Sequence, residues 1–316
     1  MKAAIYAPPG AEIRDVPAPA VKPNEVLVRV RACGLNRSDL AGVSASPAKV
    51  IGMEWSGEVA EVGAAVTRFK AGDRVMCTGS GGWAEYAVTD WGRVCPIPGN
   101  DFGFEEAATL PAALQTMHDA LVTNGRLQGG ESVLIQGASS GVGLMAMQIA
   151  KFLGAGVVIG TSTDPVRRAR LAEFGADLAL DSRDSGWVQA VLDATGGKGA
   201  DVIVDQVSTP MFNQTMQAAA VRGRIVNVGR LGGATGEFDF NLHALKRLQY
   251  IGVTFRSRTP EEIRLLNERM LADLADAVAA RKLRLPIDRT FPLAEATAAM
   301  AHTRANAHFG KVMLTV

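Results

Sequence analysis

The stretch QGASSGVG, residues 136–143, governs the reading of the whole chain. It completes SVLIQG (132–137), a short apolar run ending in glycine that reads as a strand. It opens VGLMAMQIAKFLGA (142–155), whose apolar spacing predicts a helix stopped by Gly154. Strand, small-residue turn and helix in this order suit a nucleotide pyrophosphate. Small side chains let the backbone come close, and the helix N-terminus supplies N–H donors and partial positive charge. The glycines fit two spacings, Gly137-x-x-x-Gly141-x-Gly143 and Ala138-x-x-Gly141-x-Gly143. Ala138, Ser139, Ser140, Gly141, Val142 and Gly143 are the expected cofactor-binding residues.

Downstream, the strand–helix alternation continues. VVIG (157–160) predicts a strand. PVRRARLAEFGA (165–176) predicts a helix with Pro165 in its first turn and Gly175 past its end. LAL (178–180), DVIVD (201–205) and RIVNVG (224–229) extend the series. Apolar strands between amphipathic helices imply a doubly wound parallel sheet, an α/β class. Upstream of about residue 110 the texture is β-rich. EVLVRVRACGL (25–35) alternates apolar residues at Val26, Val28 and Val30, and SGEVAEVGAAV (56–66) and GDRVMC (72–77) read the same way. The tail holds a long predicted helix over 259–283, opened by Thr259, Pro260 and two glutamates, and a closing strand, KVMLTV (311–316).

The region after the second strand selects the cofactor. An NAD site of this kind carries an acidic residue about 20 residues beyond the glycines, for the ribose 2′-hydroxyl. Nothing acidic lies between Gly143 and Thr163. Thr161 and Ser162 stand there instead, with Arg167, Arg168 and Arg170 following. Hydroxyls and an arginine fork suit a 2′-phosphate, so NADPH is expected over NADH. Arg167 is the expected phosphate ligand, and Arg168 and Arg170 read as the solvated face of a helix.

Composition narrows the class. The chain has 316 residues, enough for two domains, with 47% hydrophobic residues and a net charge of +1. That balance argues against nucleic acid and acidic membranes as partners. MKAAIYAPPG cannot serve as a secretory core, and no run of about 18 apolar residues exists. Cys33, Cys77 and Cys95 are odd in number and scattered, as free thiols in a reducing compartment would be, so a cytoplasmic location is expected.

Two reductase families carry loops of this type. The short-chain dehydrogenases need a Tyr four residues before a Lys. Four residues beyond Tyr6, Tyr86 and Tyr250 lie Gly10, Asp90 and Thr254, so that pattern is missing. The chain instead resembles the medium-chain dehydrogenase/reductase superfamily, in its zinc-independent quinone oxidoreductase branch. The resemblance runs nearly end to end. It is carried by VLVRVRACGLNRSDL (26–40), IGMEWSGEVAEVGAAVTRFKAGDRV (51–75), GGWAEYAV (81–88), FEEAATLPAALQTMHDAL (104–121), ESVLIQGASSGVGLMAMQIAK (131–151), GRIVNVG (223–229), VTFRSRTPEE (253–262) and HFGKVMLTV (308–316). It implies a GroES-like β-barrel catalytic domain over residues 1–111 and 256–316, with a Rossmann NADPH-binding domain over 112–255 inserted between.

In the zinc branch of that superfamily, a Cys occupies the position of Asn36 and a His that of Met53. An amide and a thioether do not make a catalytic zinc site, so no metal is expected, and Met53 reads as core filler. Without a Lewis acid, hydride passes directly to an electron-poor carbon, a quinone or an α,β-unsaturated carbonyl. By resemblance, Asn36 and Thr116 lie by the nicotinamide, and Val228 and Gly229 line the ring or its ribose. Related enoyl reductases often have a Tyr shortly after the GLN motif. DLAGVSASPAKVIGM (39–53) has none, so no catalytic residue is assigned, and Asp39 reads as structural. His118 reads as packed or solvated. Trp55, Phe255 and His118 are conceivable cleft residues. LQYIGVTF (248–255) predicts an apolar edge strand, where this family commonly joins two subunits, so a homodimer is expected. Two alternatives stay open. One is a reductase of another small carbonyl, or a stand-alone enoyl-reductase relative. The other is an NADPH-binding structural or sensing protein with little catalysis.

Overall fold

The computed structural model describes residues 1–40 and 49–316. Most of the segment 39–53, where no tyrosine was found, therefore lies outside the described residues. The chain divides into two compact units, Met1–Ala112 with Thr259–Val316, and Ala113–Arg258.

The second unit is built on six strands. Their spatial order is Leu178–Leu180, Val157–Thr161, Ser132–Ile135, Ala200–Asp205, Ala219–Asn227 and Gln249–Gly252, all parallel. In chain order this is 3-2-1-4-5-6, the order of dinucleotide-binding sheets. The sheet reverses direction of growth between Ser132–Ile135 and Ala200–Asp205, and the glycine loop follows the first of these. Val133, Leu134, Ile135, Val202, Ile203 and Val204 are fully buried, as strands sheltered on both faces must be.

Two predicted elements differ. The single helix over 165–176 divides into an α-turn, Pro165–Ala169, and a 3₁₀ turn, Leu171–Phe174. A 3₁₀ turn eclipses residues three apart, which puts both Leu171 and Phe174 in the core. Gly175 ends it at φ +96°. The predicted strand 248–255 is ladder-paired only over Gln249–Gly252.

The first unit holds a seven-stranded sheet. Its path runs Ile287–Pro292, Lys311–Thr315, Glu25–Gly34, Glu54–Val62, Arg74–Thr78 and Val94–Pro96, with Tyr86–Asp90 also on Glu25–Gly34. Trp55 and Trp83 are fully buried in its core. Pairing of Lys311–Thr315 with Glu25–Gly34 joins the two ends of the chain in one sheet. The helix Pro260–Ala279 starts with a capping box. Thr259 Oγ1 accepts from Glu262 N at 3.2 Å, and Glu262 Oε2 accepts from Thr259 N at 2.7 Å. It stops four residues before the predicted end, and Lys282 and Leu283 fold back onto Ala277 O.

Candidate cofactor and active site

The glycine loop is held by side chains on three strand ends. Ala138 N donates to Thr161 O at 2.8 Å, and Gly137 N donates to Thr161 Oγ1 at 3.1 Å. Thr161 Oγ1 in turn donates to Gln136 Oε1 at 2.7 Å. Gln206, just past Ala200–Asp205, donates Nε2 to Gln136 O at 3.1 Å, and its Oε1 lies 2.9 Å from Ser140 Oγ. Ser140 caps the helix Gly141–Phe152, its Oγ accepting from Gly143 N at 3.1 Å. Gly137 sits at φ +71°, where a side chain is strained. A Cβ on Gly143 would fall 2.7 Å from Ala138 Cα and from the carbonyl oxygens of Ala138 and Gly137. The helix therefore packs backbone to backbone on the loop, leaving a concave turn at a helix N-terminus.

Of the expected cofactor residues, Ser139, Ser140, Gly141 and Val142 are half-buried on this turn, while Ala138 and Gly143 are buried within it. Thr161 is buried, with its hydroxyl spent on the loop, so it supports the turn from beneath. Ser162 Oγ donates to Ser139 Oγ at 2.9 Å, bringing two hydroxyls together at the rim. Arg167 stands one turn into Pro165–Ala169 with its side chain 14% exposed, its Nε 3.6 Å from Asp164 Oδ2. Asp164, one residue beyond the acid-free stretch, caps this turn by accepting from Arg167 N at 2.9 Å. That bond holds its carboxyl below the usual carboxylate range. The expectation for Arg168 needs correction. Arg168 is half-buried, donating Nη1 to Ser162 O at 2.8 Å and to Asp181 Oδ2 at 3.0 Å. Arg170 does lie on the surface side, paired with Glu173 at 3.0 Å.

Val228 and Gly229 both donate backbone N–H to Asp205 O, at 2.8 and 3.2 Å. A polar network missed in the sequence braces them. Asp205 Oδ1 accepts from Val207 N and Ser208 N at 2.9 Å each. Asn227 Nδ2 donates to Ser208 Oγ at 2.6 Å, and Ser208 Oγ donates to Gly229 O at 3.0 Å. Asp205 is buried, which pushes its carboxyl above the ordinary range. The only legible hint was a run of polar residues where strands end.

In the first unit, Asn36 belongs to a buried charged cluster. Its Nδ2 donates to Glu54 Oε1 at 2.8 Å, and its Oδ1 accepts from Lys311 Nζ at 3.1 Å. Lys311 also pairs directly with Glu54, and Ala112 N donates to Glu54 Oε2 at 3.0 Å. Both ends of the amide are thus committed, so the plane of Asn36 is fixed. Asp39 Oδ2 accepts from Asn36 N at 2.8 Å. Burial, with Glu54 nearby, raises the Asp39 carboxyl to about 7. Met53 is half-buried rather than core, and its Sδ accepts from Ser38 Oγ at 2.8 Å.

A zinc ion does not fit this cluster. Its donors are an amide, a thioether and a carboxylate already neutralised by an ammonium. Among the described residues, no group of three His, Cys, Asp or Glu side chains could hold a metal.

In the second unit, Thr116 is half-buried on the helix Pro111–His118. His118 and Trp55 are fully buried and offer no surface to a cleft. Phe255 is half-buried beneath Arg258, 5.5 Å from its ring centre. A cavity of about 620 Å³ in the first unit, beside Arg68, Trp91 and Arg264, includes none of the expected site residues. Arg68 and Arg264 are tied to Glu268 and Asp90, and the third lining arginine, Arg74, to the carbonyls of Gly99 and Phe102.

The chain thus holds a parallel dinucleotide-type sheet with this loop in one unit and the Asn36–Glu54–Lys311 cluster in the other. Residues 22–99 match the family described as alcohol dehydrogenase GroES-like domain, and residues 141–272 the family described as zinc-binding dehydrogenase. A quinone oxidoreductase from Pseudomonas aeruginosa is 34% identical over 312 residues, covering 95% of this chain and 93% of that protein. A solved quinone oxidoreductase from Pseudomonas syringae has a TM-score of 0.88 at 28% identity, covering 100% of this chain and 99% of that one. A mycobacterial protein solved in complex with NADPH has a TM-score of 0.89 at 26% identity, with both chains covered fully. The chain also matches a highly reducing polyketide synthase from Emericella nidulans at 30% identity over 96% of its own length, spanning 12% of that protein. The chain belongs to the medium-chain dehydrogenase/reductase superfamily, in its quinone oxidoreductase-like branch. No helix of the described residues is long and apolar enough to cross a membrane.

Proposed function

We propose that this chain is an NADPH-dependent reductase that delivers hydride to a quinone or an α,β-unsaturated carbonyl without a metal. The observation that carries the cofactor is the braced loop with the Ser139–Ser162 hydroxyl pair beside it, and with Arg167 on the turn that follows. Ser139, Ser140, Gly141 and Val142 would receive the pyrophosphate at the helix N-terminus. Arg167 and the two rim hydroxyls would take the ribose 2′-phosphate. Bound there, the cofactor supplies the hydride. The relative solved with NADPH supports the same choice.

The chain's own part is to position and to exclude water. By the resemblance, Asn36, fixed by Glu54 and Lys311, and Thr116 would lie by the nicotinamide. Val228 and Gly229, locked to Asp205 and Ser208, would line the ring or its ribose with rigid backbone. Residues 112–255 then act as the cofactor domain, and residues 1–111 with 256–316 as the catalytic domain. The similarity to a quinone oxidoreductase over nearly the whole of both chains supports the quinone.

A second copy of the chain is the expected partner. Among the described residues the strand Gln249–Gly252 pairs on one side only, with Ala219–Asn227; its Tyr250 is 44% exposed and Phe240, on the preceding helix, 77%.

The test is NADPH consumption at 340 nm with a quinone and an enone of similar size, on protein assayed for zinc. Turnover of either substrate by zinc-free enzyme is expected. Activity that disappears on chelation and returns with zinc would sink the metal-free reading.

A further inference from the structure

The arginines around the turn after Val157–Thr161 are not equivalent, and one carboxylate sorts them. Leu180 pairs in parallel register with Thr161, so Asp181 emerges beside Ser162. Asp181 Oδ2 accepts from Arg168 Nη1 at 3.0 Å and from Arg183 Nη2 at 2.8 Å. Its Oδ1 accepts from Arg183 Nε at 3.1 Å and Arg183 N at 3.0 Å. Each guanidinium also holds a backbone carbonyl, Arg168 that of Ser162 and Arg183 that of Thr163. One carboxylate thus fastens two arginines to consecutive carbonyls of the turn that carries the Ser162 hydroxyl. Arg167, which precedes both in the sequence, lies 3.6 Å from Asp164 instead. Arg167, Arg168 and Arg183 against Asp164 and Asp181 give three positive and two negative charges, a local excess of one positive.

We infer that Asp181 is a positioning residue that sets cofactor preference: acting through Arg168 and Arg183, it holds the Ser162–Thr163 turn so that Ser162, Ser139 and Arg167 form one 2′-phosphate site. The inference rests on the NADPH reading above. A bare carboxylate beside that site would repel phosphate. Bonds from Arg183 hold the Asp181 carboxyl well below the usual range, so it stays ionised, and both guanidiniums screen it.

The test is fluorescence titration of the full chain with NADPH and with NADH, for wild type, Asp181→Asn, Arg183→Met and Asp181→Glu. Wild type should prefer NADPH. Asp181→Asn and Arg183→Met should each lower the NADPH-to-NADH affinity ratio about tenfold, with NADH affinity changed less than about twofold. Asp181→Glu should recover part of the ratio. If Asp181→Asn fails to fold by circular dichroism, Arg183→Met decides alone. An unchanged ratio, tighter NADPH binding, or equal losses for both cofactors would overturn the role of Asp181. A wild type that binds NADH as well as NADPH would instead remove the NADPH reading, and this inference with it.

Discussion

Single side chains carry most of the chemistry. Replacing Arg167 with Glu puts a carboxylate where a phosphate is expected and removes a fork of donors. NADPH affinity should fall about 100-fold with NADH affinity little changed, in paired titrations. Equal losses would take Arg167 off the 2′-phosphate. Lys311→Met leaves Glu54 buried and unpaired, which should cost about 3–5 kcal/mol in urea unfolding. Adding Glu54→Gln to that variant should recover part of the loss. Asp39 gives a pH signature. Its carboxyl titrates near 7 in the fold, above the ordinary aspartate value. The folded state therefore holds that proton more tightly, and its stabilisation is full at low pH and lost as pH rises through about 7. Thermal melts of wild type should drop relative to Asp39→Asn between about pH 4 and about pH 7, from the ordinary aspartate value to the folded one. Melting curves that run parallel across that range would place the Asp39 proton elsewhere. At this scale the sequence showed which residues bear charge, and not which charges meet. Glu54 and Lys311 are separated by 257 positions, and no local spacing connects them. Asp181 was hidden for the same reason, since only the sheet register brings it beside Ser162.

Secondary elements were easier to read, because their signals are local. The glycine loop, the capping residues Thr259 and Glu262 and the strand series each announce themselves within a few residues. What failed was the length of elements set by tertiary packing. The helix after Pro165 gives way to a 3₁₀ turn so that Leu171 and Phe174 both reach the core, a demand made by residues far along the chain. The loop–helix junction yields a sharp prediction. In Gly143→Ala the new methyl meets backbone atoms that cannot swing aside. Overpacking there should cost about 1–3 kcal/mol, and cofactor affinity should fall with it. A variant of wild-type stability and affinity would show that the loop yields more than its hydrogen bonds imply.

For the whole molecule, the sheet edge at Gln249–Gly252 predicts association. Tyr250→Glu, at an exposed position on that edge, should convert a dimeric mass in light scattering to a monomeric one with the fold intact by circular dichroism. A monomeric wild type would leave the edge without this partner. The fold also constrains the order in which the chain can mature. Residues Ala113–Arg258 lie between the two stretches that make the first unit. The strand Lys311–Thr315 supplies both a neighbour for Glu25–Gly34 and the ammonium that neutralises Glu54. During synthesis the nucleotide sheet can complete itself while the other unit still lacks its last strand and its countercharge. Glu54 then has no countercharge until Lys311 emerges, so the first unit is completed last, after the parallel sheet.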